Sequence, residues 1–218
     1  MGNYEAEVLP MEKKKGILCL LIPIAFLIAV AAHYRFDPWG FYWKQSPEET
    51  LLRCQVVRTA EQYLGYNEAD NSHCILIDRY NAHEPLAVDY VVQPNDSWCA
   101  TFVSAVSIEL GLTQIIPTEC GCERQIKLFQ SLDAWEEDDS SIPLPGDIIY
   151  YDWDETKWAD ATGWSDHVGI VVGTKWPFIK VIEGNKDDAV SYRILLINDI
   201  HIRGFGKPDY ASVIANTP

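Results

Sequence analysis

Apolar side chains recur at helical spacing in the stretch after residue 45, where Leu51, Leu52, Val56, Ala60 and Leu64 mark one face of a predicted helix. Ser46-Pro47-Glu48-Glu49 starts it, with Ser46 as N-cap, Pro47 at the first helical position and Glu49 placed to close a capping box. Gly65 ends it. A shorter helix is predicted over Cys74 to Tyr80, ahead of Pro85. A third begins at Asp96-Ser97, either of which can cap, and runs through Trp98-Cys99-Ala100-Thr101-Phe102 to Gly111. A fourth covers Glu123 to Leu132 and gives way to the acidic loop Glu136 to Asp139. Beyond Pro145-Gly146 the period changes, and strand-like runs follow at Asp147 to Tyr151, His167 to Val172, Ile179 to Ile182 and Tyr192 to Ile197. Helices followed by strands predict an α+β fold, with a strongly curled antiparallel β-sheet or half-barrel packed on the Cys99 helix.

One apolar run fits neither pattern. Lys13, Lys14 and Lys15 precede Gly16 to Ala32, a stretch without a charge, and the next charge is Arg35. Its length lies between a secretory apolar region and a minimal spanning helix, and Ala29-Val30-Ala31 offers a cleavage site, so both a signal peptide and an uncleaved anchor fit. The aromatic cluster Tyr34, Phe36, Trp39, Phe41, Tyr42 and Trp43 favours an anchor with an interfacial belt. The expected organisation is a cytoplasmic segment 1–15, a transmembrane helix or signal peptide 16–32, a juxtamembrane linker 33–45 and one folded domain 46–213. The flanking lysines place that domain outside the cytoplasm, either single-pass on the cell membrane or secreted.

Charge narrows the partners. A formal net charge of -15 would repel a phosphate backbone, which excludes nucleic acid and weakens electrostatic docking on anionic surfaces. Specificity must then come from a cleft, and a monomer suffices for one. Eight Trp and eleven Tyr suit sugar and peptide ligands as well as core packing. Six cysteines form neither a disulfide framework nor a paired metal motif.

Cys99 would sit in the first turn of its helix, where the macrodipole favours thiolate and unpaired N–H groups can stabilise an oxyanion. His167 opens a strand and is the best base in the chain. The next strand returns through Lys175-Trp176-Pro177, so antiparallel pairing places residue 183 or 185 opposite His167. Glu183 and Asn185 share a face, and either could hold the imidazole in the useful tautomer.

The segments Asp96-Ser97-Trp98-Cys99-Ala100-Thr101-Phe102-Val103-Ser104, Pro145-Gly146-Asp147-Ile148-Ile149, Asp166-His167-Val168-Gly169-Ile170-Val171 and Ile182-Glu183-Gly184-Asn185 resemble, in order and spacing, the signatures of the CHAP domain in the papain-like NlpC/P60 group. Ile202 to Pro208 also resembles the terminal strand of such domains. The resemblance implies a papain-like fold and hydrolysis of a peptidoglycan amide bond, at the sugar-to-alanine link or within the peptides. It assigns Cys99 as nucleophile, His167 as base and Glu183 as orienting acid, with Asn185 matching an additional polar residue in part of the family. Trp98, Trp164 and Asp166 are the expected substrate-binding residues, and Trp153 is a further candidate for the cleft. The chemistry needs no metal or other cofactor. The acidic loop Asp152, Asp154, Glu155 and Asp160 is read as solvated rather than as a calcium site, and Glu68-Ala69-Asp70-Asn71 likewise. Cys120 and Cys122 are too close to bridge each other easily, though either could pair with Cys54 or Cys74. The rival reading is an idle, membrane-anchored module that only holds peptidoglycan.

Overall fold

The computed structural model describes residues 45–153 and 163–216, and the predicted apolar segment 16–32 lies outside them. Among the described residues no helix is long and apolar enough to cross a membrane. In chain order the elements are α1 (Pro47–Glu61), α2 (Cys74–Asn81), α3 (Cys99–Leu110), α4 (Cys122–Ser131), β1 (Trp135–Glu136), β2 (Ile148–Tyr151), β3 (His167–Lys175), β4 (Phe178–Lys186), β5 (Ala189–Leu196), β6 (Ile202–Gly206) and α5 (Tyr210–Ala215). The six strands form one antiparallel sheet in the order β1-β6-β2-β3-β4-β5. The α+β arrangement is thus as expected, with β1 and α5 as additions.

Helix α3 is the centre of the fold. Every residue from Cys99 to Ser107 is buried, as befits a helix apolar on all sides. It ends where Gly111 takes the left-handed conformation (φ 67°) that closes the last turn. Its contact with the sheet is backbone-close: a Cβ on Gly184 of β4 would lie 2.4 Å from Phe102 Cβ and 2.9 Å from the Trp98 ring. The Ile-Glu-Gly-Asn segment therefore needs its glycine to seat the strand on the helix.

Helix α3 begins at Cys99, later than Asp96-Ser97 predicts, and neither residue caps it. Trp98 occupies the N-cap position without a side-chain cap bond. The Asp96 carboxylate instead accepts from Tyr90 Oη (2.8 Å) and Gln93 N (2.7 Å), closing the preceding loop. Helix α1 also buries a different stripe. Val56 and Ala60 face inward, but Leu51 and Leu64 are exposed and Arg53 is buried.

Arg53 turns inward because Pro145-Gly146-Asp147 is waiting for it. Its guanidinium donates to Asp147 Oδ1 (2.8 Å) and Pro145 O (3.1 Å), with Glu49 one helical turn back at 2.9 Å. Asp147 is fully buried and also takes Lys207 Nζ (3.2 Å) and Leu144 N (2.9 Å). Tyr210 of α5 lies under the guanidinium at 4.4 Å and donates its hydroxyl to Gly146 O at 2.7 Å. This buried lock ties α1, the start of β2 and α5 together.

Candidate functional site

Cys99 is the first residue of α3, 5% exposed, with the helix dipole behind it. Three donors reach toward its sulfur. The Cys122 thiol lies 3.6 Å away, and the His167 ring and the Ala100 amide also favour its thiolate. Led by the Cys122 hydrogen bond, these outweigh burial and hold the Cys99 thiol well below its ordinary range.

His167 opens β3 at the end of the sheet. It lies across from Tyr151, whose ring stacks on the imidazole at 5.8 Å and 24°. Its Nε2 meets Glu183 Oε2 at 3.1 Å. The Glu183 side chain has no exposure, and Arg193 Nε of β5 bridges both its oxygens at 2.7 and 2.9 Å. Burial opposes a charged carboxylate, but the bonds from His167 and Arg193 prevail and hold Glu183 below the usual carboxylate range. An ionised Glu183 can only accept, so Nε2 carries the ring proton and Nδ1 is left for Cys99. Burial likewise opposes a charged imidazole, yet the bonds to Cys99 and Glu183 raise His167 to about 9. The arrangement stabilises a thiolate–imidazolium pair at neutral pH, the reactive form of a cysteine nucleophile.

The route from Glu183 to His167 is diagonal. The β3–β4 register pairs Glu183 with Gly169, two residues from His167 on the same face. A Cβ on Gly169 would lie 2.8 Å from Glu183 Cγ and 2.6 Å from Val181 Cγ1, so the glycine opens the path the carboxylate takes. Continuing the register would set Asn185 against His167. Asn185 instead takes φ 57° at an irregularity in the β4–β5 pairing between Glu183 and Lys186, and it is Glu183 that reaches the ring. Gly169→Ala is expected to displace Glu183 and slow iodoacetamide alkylation of Cys99 at neutral pH by about tenfold, the effect of a one-unit rise in thiol pKa. Timed alkylation read by mass spectrometry checks this.

Cys122 is the neighbour that sequence reasoning missed. The first turn of α4 meets that of α3 because the connecting segment is bolted to α3. Ser104 Oγ donates to Glu119 O (2.7 Å) and accepts from Glu119 N (2.9 Å), Ser107 Oγ donates to Ile116 O (2.6 Å), and Gln125 Nε2 donates to Pro117 O (2.8 Å). The Cys122 thiol is pushed well above its ordinary range by the adjacent Cys99 and by burial, so it stays protonated and donates. The described cysteines, Cys54, Cys74, Cys99, Cys120 and Cys122, are all free thiols. The pairing of Cys120 or Cys122 with Cys54 or Cys74, which the sequence left open, is not made, and the α3–α4 packing turns Cys122 toward Cys99.

The expected substrate contacts divide. Trp98 is fully buried, donates Nε1 to Glu68 Oε1 at 3.0 Å and packs near His73, so it belongs to the core and not the cleft. The same bond gives Glu68 a structural partner in a segment expected to be only solvated. Trp164 is 69% exposed and lines a small cleft of about 100 Å³ with Gly121, Cys122, Glu123, Arg124 and Ser165. Asp166 Oδ2 accepts from Trp153 N at 3.2 Å, and Asp166 N donates to Tyr151 O, which shapes the turn into β3. Trp153 stacks on Tyr151 and under Arg193, behind the His167–Glu183 pair. A larger groove of about 440 Å³, lined by Val88, Tyr90, Val92, Asp96, Ser97, Cys120 and Arg124, runs past the start of α3. Among the described residues no three His, Cys, Asp or Glu side chains converge as a metal site would require. Asp154, Glu155 and Asp160 of the acidic loop lie outside those residues.

A cysteine at a helix start, a histidine at a strand start and a buried acid behind it fall together within residues 91–185, the span that matches the family model for the CHAP domain. Residues 91–185 are thus similar to a CHAP domain over somewhat less than half of the chain. The match takes in Cys99, Cys122, His167, Glu183 and Asn185, while Arg193 and the Arg53 end of the lock lie outside it. CHAP domains are associated with cysteine- and histidine-dependent amidohydrolase or peptidase activity, and in general with peptidoglycan hydrolysis. The chain matches no curated protein and no solved structure.

Proposed function

We propose that this protein hydrolyses an amide bond of peptidoglycan, with Cys99 as nucleophile, His167 as general base and acid, and Glu183 as the residue that orients it. The observation that carries the reading is the Glu183–His167 bond at 3.1 Å, which turns Nδ1 of the ring to a thiol held in a helix's first turn. The Cys99 thiolate attacks the amide carbonyl, and backbone N–H groups at the start of α3 receive the developing oxyanion. Protonated His167 then gives its proton to the leaving amine, and a water activated by the neutral ring hydrolyses the thioester. Exposed Trp164 and the groove past Tyr90 and Arg124 are the surfaces on which glycan or stem peptide would lie. The segment Gly16 to Ala32 would tether the domain, as a monomer, outside the cytoplasmic membrane or be removed on secretion.

The test is digestion of purified peptidoglycan by the full-length chain in mild detergent, with fragments identified by mass spectrometry. New amino termini on the sugar-linked alanine would mark an amidase, and cuts within the peptides an endopeptidase. An idle binding module would retain sedimented peptidoglycan without releasing fragments from any wall chemotype.

The pH dependence follows from the site. The reactive pair persists from the lowered range of Cys99 up to about pH 9, where His167 loses its proton. The rate is therefore expected to fall as pH rises through about 9. The same group links pH to folding. Its pKa is raised from 6.5, so its contribution to stability is complete below 6.5 and disappears as pH rises through about 9. Glu183→Gln removes the anion that favours imidazolium, and the alkaline limb should move to lower pH. A limb that stays in place in kcat/KM profiles would assign it to another group.

A further inference from the structure

Beside Cys99 and His167, which account for the amide chemistry, lies a second buried thiol that supports the nucleophile but takes no part in making or breaking the amide bond. Cys122 lies 3.6 Å from the nucleophile, sulfur to sulfur, at the first position of a second helix whose N-terminus meets the first. A covalent S–S bond of ~2.05 Å requires the two sulfurs to close by about 1.5 Å. A cleft of about 100 Å³ lined by Gly121, Cys122, Glu123 and Trp164 reaches Cys122, one member of the pair, and is large enough for a molecule the size of hydrogen peroxide. The third nearby thiol is engaged elsewhere, since Cys120 Sγ accepts from Arg124 at 3.4 Å.

We propose that Cys99 is an oxidation site for small hydroperoxides and that Cys122 is its resolving thiol, so that oxidation stores the nucleophile as a Cys99–Cys122 disulfide. The assignment rests on Cys99 being the reactive thiol of the preceding section. In the first step the Cys99 thiolate attacks one peroxide oxygen, the O–O bond breaks, and the departing hydroxide takes the proton on His167 to become water. Cys99 is then a sulfenic acid. Cys122 attacks its sulfur, the S–O bond breaks, and the hydroxyl leaves as a second water with the Cys122 proton. Two thiols have lost two electrons and two protons, and the peroxide oxygens have been reduced to water. The disulfide is inactive but reducible, whereas a sulfenic acid with no partner proceeds to sulfinic and sulfonic acids that thiols do not reverse.

The test uses the full-length chain treated with limiting hydrogen peroxide, quenched, and mapped without reduction. The wild type is expected to lose the mass of two hydrogen atoms and to yield a linked Cys99–Cys122 peptide. Dithiothreitol should then restore Cys99 alkylation by iodoacetamide, carried to completion and expressed as a fraction of each variant's own unoxidised sample, to a level at least about tenfold above that of Cys122→Ala treated in parallel, where Cys99 carries added oxygens instead. Cys122→Ser, closer to the native volume, serves as a second variant should the alanine form fail to fold. Cys120→Ser should retain the linked peptide. Linkage of Cys99 to Cys54, Cys74 or Cys120, or equal recovery in wild type and both Cys122 variants, would overturn the proposal. These readouts do not depend on hydrolysis. A chain that forms the disulfide but releases no peptidoglycan fragment would overturn the hydrolase reading alone.

Discussion

Cys99→Ala should reduce peptidoglycan cleavage by a factor on the order of 10⁶, the scale on which loss of the nucleophile acts in a triad hydrolase. The reason lies in how much of the site converges on one sulfur. The α3 dipole, the Cys122 thiol and the His167 ring all serve a thiolate, and none can act without it. His167→Ala should be similarly severe, because a residue that must both take and give a proton has no substitute within reach. The two losses should not add, since the residues act as one unit. Fragment release measured for each single variant and for the double variant checks both points. The fold should survive, because Cys99→Ala removes one small group from the end of a helix. Unchanged thermal unfolding would confirm that chemistry, not structure, was lost.

The largest effect on stability is expected from Asp147→Ala. Asp147 is fully buried against Arg53 and Lys207, and its removal leaves the Arg53 guanidinium, itself 8% exposed, without its principal counter-charge. Breaking a buried ion pair from one side costs about 3–5 kcal/mol. For a domain of this size that corresponds to a fall in Tm of roughly 10 °C. Arg53→Met with Asp147→Leu should recover much of the loss, since the penalty comes from the orphaned charge more than from the pair itself. Thermal unfolding of the single and double variants followed by circular dichroism makes the comparison. A loss below about 1 kcal/mol for the single variant would mean that water replaces the carboxylate.

The elements that were legible in the sequence were those with a long period. Helices α1 to α4 and strands β2 to β5 fall where apolar spacing and glycine stops put them, because burial of one face leaves a local trace. The failures depend on polar partners, near or distant in sequence, that apolar periodicity does not register. Asp96 looks like a cap, but Tyr90 and Gln93 claim its carboxylate. Arg53 lies off the predicted apolar stripe of its helix, and it is buried because Asp147 is brought to it from 94 residues away. Trp98 reads as a candidate for the cleft, yet the core takes its ring and the half-buried Glu68 accepts from its indole. At the site, Cys99, His167 and Glu183 could be brought together from motif and hairpin register, whereas Arg193 could not. Its bond to Glu183 depends on the β4–β5 register, in which Arg193 pairs with Val181 and must reach diagonally. Cys122 was hidden for another reason. Cys120-Gly121-Cys122 carries no periodic signal, and only the hydrogen bonds from Ser104, Ser107 and Gln125 bring it alongside Cys99.

The covering of the imidazole by Tyr151 has a directional meaning. With its flank against that ring and Nε2 fixed to Glu183, His167 has no room to turn over during a catalytic cycle. The nitrogen that faces the thiol must therefore be the one that delivers the proton to the departing amine. Tyr151 therefore holds the direction of proton delivery, and a smaller side chain there would free the imidazole without touching the thiol.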